Sequence, residues 1–253
     1  MRRMLKEIRN LFSFLTTIPV RMDEDILNDT ARYMFLFPLI GVFIGLLAGL
    51  FGWVTSQVLP SLIVGGLVLG VLLLITGLHH TDGLLDFGDG VMAHGSPERK
   101  IEIMHDQLTG AGGLSLGIIT FLVTAFAIAE LDTDIIVQGL VVAEVSAKLS
   151  MVVGAWAGKA VHEGMNSSFL EVMHGKTGTA RLLVAIIISF GIALPLLWLA
   201  GAVTVLAAVL ASLIMVGIAH RHFNGVTGDV LGATNELSRM VSLITLLAMV
   251  RWV

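Results

Sequence analysis

The feature that most constrains this chain is a series of uncharged apolar stretches, each close to the roughly 20 residues a helix needs to cross a bilayer. They cover 35–58, 60–78, 111–129, 182–200 and 201–219. The stretch 135–158 is long enough but contains Glu144 and Lys148, and 237–250 is a shorter, weaker candidate. Nothing between them alternates as a strand does or reads as a linker. In a bilayer the backbone must satisfy itself, which helices do within one segment. The expectation is therefore an all-α, polytopic integral membrane protein of about six to seven transmembrane helices, with residues 1–253 forming a single membrane-embedded domain.

Composition agrees. The chain is 56% hydrophobic and 13% charged, where a soluble domain carries roughly 25% charged residues. A net charge of −4 provides no polycation for nucleic acid, so no nucleic-acid partner is expected. Cysteine is absent, which excludes a disulfide framework and a thiolate nucleophile. Residues 1–9 resemble the start of a signal peptide, but the apolar run after them is short and broken by Arg21, Asp23, Glu24 and Asp25. No cleaved signal is expected.

Lysine and arginine then set the orientation. They occupy residues 1–32, 79–110, 159–181 and 220–239, and are absent from the three connections between these regions. The alternation predicts a cytoplasmic N-terminus, with 1–32 a cytoplasmic or interfacial segment and 79–110, 159–181 and 220–236 on the same side. Leu5, Ile8, Leu11, Phe12 and Leu15 make 4–15 amphipathic. Such a helix lies in the membrane interface or packs on the protein.

The chemistry is concentrated in 79–110. If the second span continues inward as a helix, Asp82, Asp86 and Asp89 fall on one stripe at i, i+4 and i+7. Three carboxylates there repel one another unless a cation joins them, and hard oxygen donors suit Mg²⁺ or Mn²⁺. Gly83, Gly88 and Gly90 weaken the helix but would let a phosphate approach its backbone; a solvated acidic helix end is the plainer alternative. His80 or His79 would be a ligand or a neighbour of the ligands. Pro97 starts a second helix with Glu98, Glu102 and Asp106 on one side and Arg99 and Lys100 beside them. It is either an ordinary surface helix or one that sends Asp106 to the metals.

Glu144 and Lys148 sit where a charge costs several kcal/mol, about 2.5–3.5 on insertion scales, so function is the default reading. Lys148 would reach a substrate phosphate from the cytoplasmic side, unless the two merely pair with each other. Gly225, Gly228 and Gly232 punctuate a segment holding Asp229, Asn235 and Glu236. There Asp229 would touch the metal and Glu236 orient an acceptor hydroxyl, or Asp229 would simply cap a helix. Two Glu-x-x-His pairs, at 102–105 and 171–174, lack the further glutamates of a di-iron bundle.

The run His80-Thr81-Asp82-Gly83-Leu84-Leu85-Asp86-Phe87-Gly88-Asp89-Gly90, with 98–104 and Asp106 after it, closely resembles the signature of the cobalamin synthase family, the adenosylcobinamide-GDP ribazoletransferases. Residues 14–20, 37–41 and 227–236 resemble three further blocks of that family. The resemblance implies a Mg²⁺-dependent enzyme of the cytoplasmic membrane that joins adenosylcobinamide-GDP to α-ribazole or its 5′-phosphate and releases GMP. On this reading Asp82, Asp86, Asp89 and Asp229 hold metal, Asp89 or Asp106 accepts the proton, and His80, Gly83, Glu98, Arg99, Lys148, Asn235 and Glu236 contact substrates. The bilayer is the expected partner, and self-association is left open. A CDP-alcohol phosphotransferase would carry Ala-Arg after its first Asp-Gly pair, where this chain has Leu84 and Leu85 and then Asp86. A transporter would place its polar groups near the midplane, whereas most of those here lie in the loops.

Overall fold

The computed structural model describes residues 2–18, 26–161 and 167–250, which are helical throughout apart from turns and one isolated bridge. In order the helices are α1 (Arg2–Leu15), α2 (Ile26–Tyr33), α3 (Phe37–Ser56), α4 (Ser61–Thr76), α5 (His79–Met92), α6 (Pro97–Met104), α7 (Ala111–Ala129), α8 (Ile136–Ala157), α9 (Ser167–His174), α10 (Gly178–Phe223) and α11 (Gly228–Val250).

Helix α8 is the axis of the bundle and is buried along nearly its whole length. Its sequence explains this: apart from Gln138, Glu144 and Lys148 it is apolar or small on every side, as a helix surrounded by others must be. Helix α3 approaches it most closely. Gly41, Gly45 and Gly49 lie at four-residue intervals, and a Cβ on any of them would stand 2.6–2.8 Å from α8 backbone atoms. Small residues at this spacing let two helices pack backbone to backbone where no hydrophobic effect drives them together.

Four helical segments, Leu27–Ser56, Ala111–Ala129, Ile136–Ala157 and Gly178–Phe223, are long and apolar enough to cross a membrane. Their outward faces carry large apolar side chains such as Leu50, Val54, Ile119, Phe126, Ile187 and Leu210. The polar residues of α8 and α11 are turned inward. The expected fifth and sixth spans correspond to the two parts of α10, which leaves helical geometry at Leu197 and Trp198, just after Pro195. A proline inside a helix removes a backbone hydrogen bond and crowds the preceding turn, so a break here is expected.

The second span does not continue inward. Helix α4 ends at Thr76, and the chain bends by 98° into α5, a fifth span only if that bent pair counts as one. Gly77 and Leu78 make the corner in left-handed geometry, with φ of 73° and 63°. The N-terminal segment secures it: the Thr17 amide donates to the Ile75 carbonyl (2.7 Å) and its hydroxyl to that of Leu74 (2.9 Å). These are carbonyls that a helix end leaves without partners. Helix α5 carries three aspartates and two histidines, a polar load for a helix facing lipid.

Helix α1 packs on the protein. Leu11 and Leu15 are buried, Phe12 meets Phe43 edge-on at 4.9 Å, and Tyr33 of α2 donates to Glu7 at 2.8 Å. Its first residues, and the end of the 14–20 block beyond Ile18, lie outside what is described here for side chains.

Candidate active site at the crossing of α5 and α11

The predicted stripe forms, on a helix turned sideways. Asp82, Asp86 and Asp89 all lie on α5, whose Leu84 and Phe87 are anchored in the core. Gly83 is where α11 crosses: a Cβ there would stand 2.8 Å from the Asp229 carbonyl oxygen. One Cβ further along, at Gly88, would stand 2.8 Å from the Gly113 Cα of α7. The glycines expected to admit a phosphate therefore admit neighbouring helices. Gly83 in particular brings Asp229 to the stripe.

The expected loop 220–236 is instead the end of α10, a short turn and the first turns of α11. The cap of α11 is Thr227, not Asp229: the Val230 amide donates to the Thr227 hydroxyl oxygen at 3.3 Å, and that hydroxyl donates to Asp229 at 3.3 Å. Burial raises the Asp229 carboxyl above its ordinary range, against the opposing charge of His105 and the Thr227 hydrogen bond. Asp86 is pushed up to about 7, by burial first and then by the charges of Asp82, Asp229 and Asp89. Four carboxylates from two helices thus share one electrostatic neighbourhood.

Asp89 is in addition tied to α7. Its two oxygens accept from the amides of Gly110 (2.6 Å) and Gly113 (2.8 Å), at the N-terminus of α7. A carboxylate there satisfies orphan donors and complements the helix dipole. Asp106 is exposed after α6 and accepts from the Leu108 amide at 3.1 Å. It lines no part of the cavity described below. Glu98 and Arg99 are exposed on α6, where Arg99 pairs with Glu102 at 2.8 Å. They are the ordinary surface helix of the two alternatives, started by Ser96 and Pro97.

Lys148, Asn235 and Glu236 pair within the protein. Lys148 is fully buried and donates to Asn235 Oδ1 at 2.7 Å, with Glu144 at 3.6 Å. Asn235 donates to Glu236 at 3.0 Å, and Arg239 pairs with both Glu236 and Glu144. Two anions and two cations close into a neutral network between α8 and α11, with all four side chains at most 2% exposed. Arg239, counted above among the cytoplasmic charges, is part of it. None of these side chains is among the residues lining the cavity described below.

A cavity of about 550 Å³ opens beside the crossing. His80, Asp82 and Asp229 line one part of it. Phe14, Phe37 and Phe169, with ring centroids 5.3–6.3 Å apart, line another. His80 is 7% exposed, and its Nδ1 has no hydrogen-bond partner. Burial, then the positive charges of Lys148, Arg239 and His79, hold the ring well below its ordinary pKa and keep it neutral. The phenylalanines come from α1, α3 and α9, far apart in sequence, and no spacing rule would have grouped them.

Among the described residues, no three His, Asp or Glu side chains are arranged as a complete metal cage. Mg²⁺ rarely uses one. It is usually held by one or two carboxylates, with waters and substrate phosphates supplying the rest. Asp82 and Asp86, one helical turn apart and repelling each other, fit that manner of binding.

Residues 7–247 match the family model described as cobalamin-5-phosphate synthase. An adenosylcobinamide-GDP ribazoletransferase of Methanococcoides burtonii is 32% identical over 252 residues, covering 96% of this chain and 92% of that protein. One from Methanocella arvoryzae is 34% identical, covering 95% and 94%. One from Thermococcus kodakarensis is 31% identical, covering 97% and 99%. No solved structure matches. The likeness takes in the α5 stripe, the α11 crossing and nearly everything that holds them in place, and the chain belongs to the cobalamin-5-phosphate synthase family.

Proposed function

We propose that this chain joins adenosylcobinamide-GDP to α-ribazole, or its 5′-phosphate, giving adenosylcobalamin, or its phosphate, and GMP. The observation that carries this reading is the meeting of Asp82 and Asp229 at one cavity, with Asp86 one turn along α5, combined with the activity named for the relatives. A ribose hydroxyl oxygen of the acceptor bonds to the phosphorus next to the corrinoid. The bond from that phosphorus to the oxygen shared with the guanosine phosphate breaks, and GMP leaves with that oxygen.

Asp229, in the cavity wall and with its carboxyl raised above the ordinary range by burial, accepts the hydroxyl proton. A base is most effective when its pKa lies near the working pH. Asp82 and Asp86 would hold Mg²⁺, or Mn²⁺, which supplies charge neutralisation on the pyrophosphate and the departing GMP. The repulsion recorded at Asp86 supports a cation there. The chain's own contribution is positioning, with α5 and α11 locked at Gly83 so that the base and the metal-holding carboxylates stay in register.

The site faces the cytoplasm of the cell membrane, with the N-terminus on the same side and six to seven spans made by α3, α4, α7, α8, both parts of α10 and, as the seventh, α11. The Lys/Arg alternation supports this orientation without Arg239. Purified protein in detergent with Mg²⁺ and both substrates should release GMP and form cobalamin in equal amounts. GDP release instead would place the attack on the wrong bond.

A further inference from the structure

The proposed reaction has two substrates, and the cavity discriminates between them. Resting on that reading, we infer that the 550 Å³ cavity is the acceptor subsite and holds a ribonucleoside whose base is an apolar fused aromatic, with Phe14, Phe37 and Phe169 around the base and the ribose turned to His80, Asp82 and Asp229. Its volume lies within the range of about 300–1,000 Å³ typical of small-molecule pockets.

Four observations exclude the other occupants. Beyond the histidines and aspartates, Ser13 is the one polar side chain among the described lining residues. A guanine edge, with its amide and amino donors and its carbonyl acceptor, would leave buried groups unpaired against phenylalanine and methionine, which weakens binding. No lysine or arginine is among the described lining residues, so these residues offer a nucleoside diphosphate no cationic side chain. A corrin ring, far larger than a nucleoside and fringed with amides, would face the same unpaired contacts. A benzimidazole, in contrast, presents methyl groups and ring faces, which stacked or edge-on phenylalanines accommodate. His80, Asp82 and Asp229 form the polar part of the wall, where ribose hydroxyls can hydrogen-bond. The reacting hydroxyl then lies beside Asp229, and the corrinoid pyrophosphate approaches from the α5 side.

The test measures binding apart from turnover. The full-length protein in detergent is dialysed to equilibrium against α-ribazole alone, with guanosine as competitor. The Phe14→Ala and Phe169→Leu variants are run beside it, and KM is determined for both substrates in each. Phe14 is only half-buried, so its truncation is the variant expected to fold. The expected result is saturable α-ribazole binding that guanosine does not displace, weakened at least tenfold in Phe14→Ala. KM for α-ribazole should rise in parallel, with KM for adenosylcobinamide-GDP within twofold of wild type. Displacement by guanosine, unchanged α-ribazole binding in both variants, or a rise confined to the KM for adenosylcobinamide-GDP would each overturn the assignment. Absence of GMP release by the wild-type protein would instead refute the proposed reaction, and the dialysis would still judge the cavity.

Discussion

Arg239 on α11 donates to both carboxylate oxygens of Glu144 on α8, through Nε to one and through Nη2 at 3.4 Å to the other. The pair joins the central helix of the bundle to the helix that delivers Asp229.

Removing one partner of a buried pair strands the other and costs about 3–5 kcal/mol, whereas the intact pair contributes little net stability. Glu144→Gln and Arg239→Met should therefore each lower the midpoint of thermal unfolding in detergent sharply. Lys148→Met should also destabilise, while kcat per folded molecule stays within a few-fold of wild type. A well-folded Lys148→Met protein with kcat down a hundredfold would return Lys148 to the substrate.

Asp89 is read as the cap of α7, and its removal is predicted to act on stability. Asp89→Ala should cost about 0.5–2 kcal/mol, the usual value of a lost cap, with the Mg²⁺ concentration for half-maximal activity unchanged. Asp82→Asn and Asp86→Asn should do the reverse, retaining the fold and losing turnover at any Mg²⁺ concentration. The comparison is a Mg²⁺ titration of activity beside a melting curve for each variant, and a shifted Mg²⁺ requirement in Asp89→Ala would contradict the assignment.

The raised carboxyl of Asp86 predicts a pH dependence of stability. Its pKa is about 7 in the folded protein against an ordinary 3.8, so the folded state holds the proton more tightly than the unfolded chain. The group therefore carries no penalty below about pH 4, gains one as pH rises between the two values, and carries it in full above about pH 7. Near half-exposure and solvent screening make the effect modest. Asp86→Asn should raise the melting temperature in EDTA at pH 8 and leave it unchanged at pH 4. Mg²⁺ should stabilise the wild type at pH 8 more than the variant. A lower melting temperature for the variant at pH 8 would contradict the crowding of carboxylates.

Much of this fold was legible because apolar length and charge placement act locally. The spans, the start of α6 at Pro97 and the stripe on α5 follow from residues close together in sequence. The two parts of α10 were marked by Pro195 within an apolar run. The stripe Gly41, Gly45, Gly49 was readable at four-residue spacing but only as a packing face, with nothing to name α8 as its partner. The residues hardest to read were those whose partners are distant. Asp89 finds two amides on α7, and Lys148 finds Asn235 across 87 positions of sequence. A charge in an apolar span signals that a partner exists, and Arg239 was the available cation, but pairing is decided by which helices touch. The corner at Gly77 and the phenylalanine cluster depended on tertiary contacts in the same way.

Thr227 and Asp229 separate capping from chemistry. Thr227→Ala should cost about 0.5–2 kcal/mol of stability and retain kcat when measured below its melting temperature. Asp229→Asn should fold normally and lose about 10²–10⁴ in kcat, the usual contribution of a positioned base. Equal stability losses with unaltered kcat in both variants would reduce Asp229 to part of the cap.

The central claim is that carboxylates from α5 and α11 act together on one phosphorus. The most direct measurement is a single-turnover assay with enzyme in excess over adenosylcobinamide-GDP at saturating α-ribazole and Mg²⁺, following GMP and cobalamin together in wild type, Asp82→Asn, Asp229→Asn and the double variant. The account predicts equal formation of the two products in wild type, loss of both in each single variant, and a double variant scarcely slower than the worse single, because residues that act as a unit are not additive. Multiplication of the two single losses in the double variant, or near-normal turnover in either single, would contradict it.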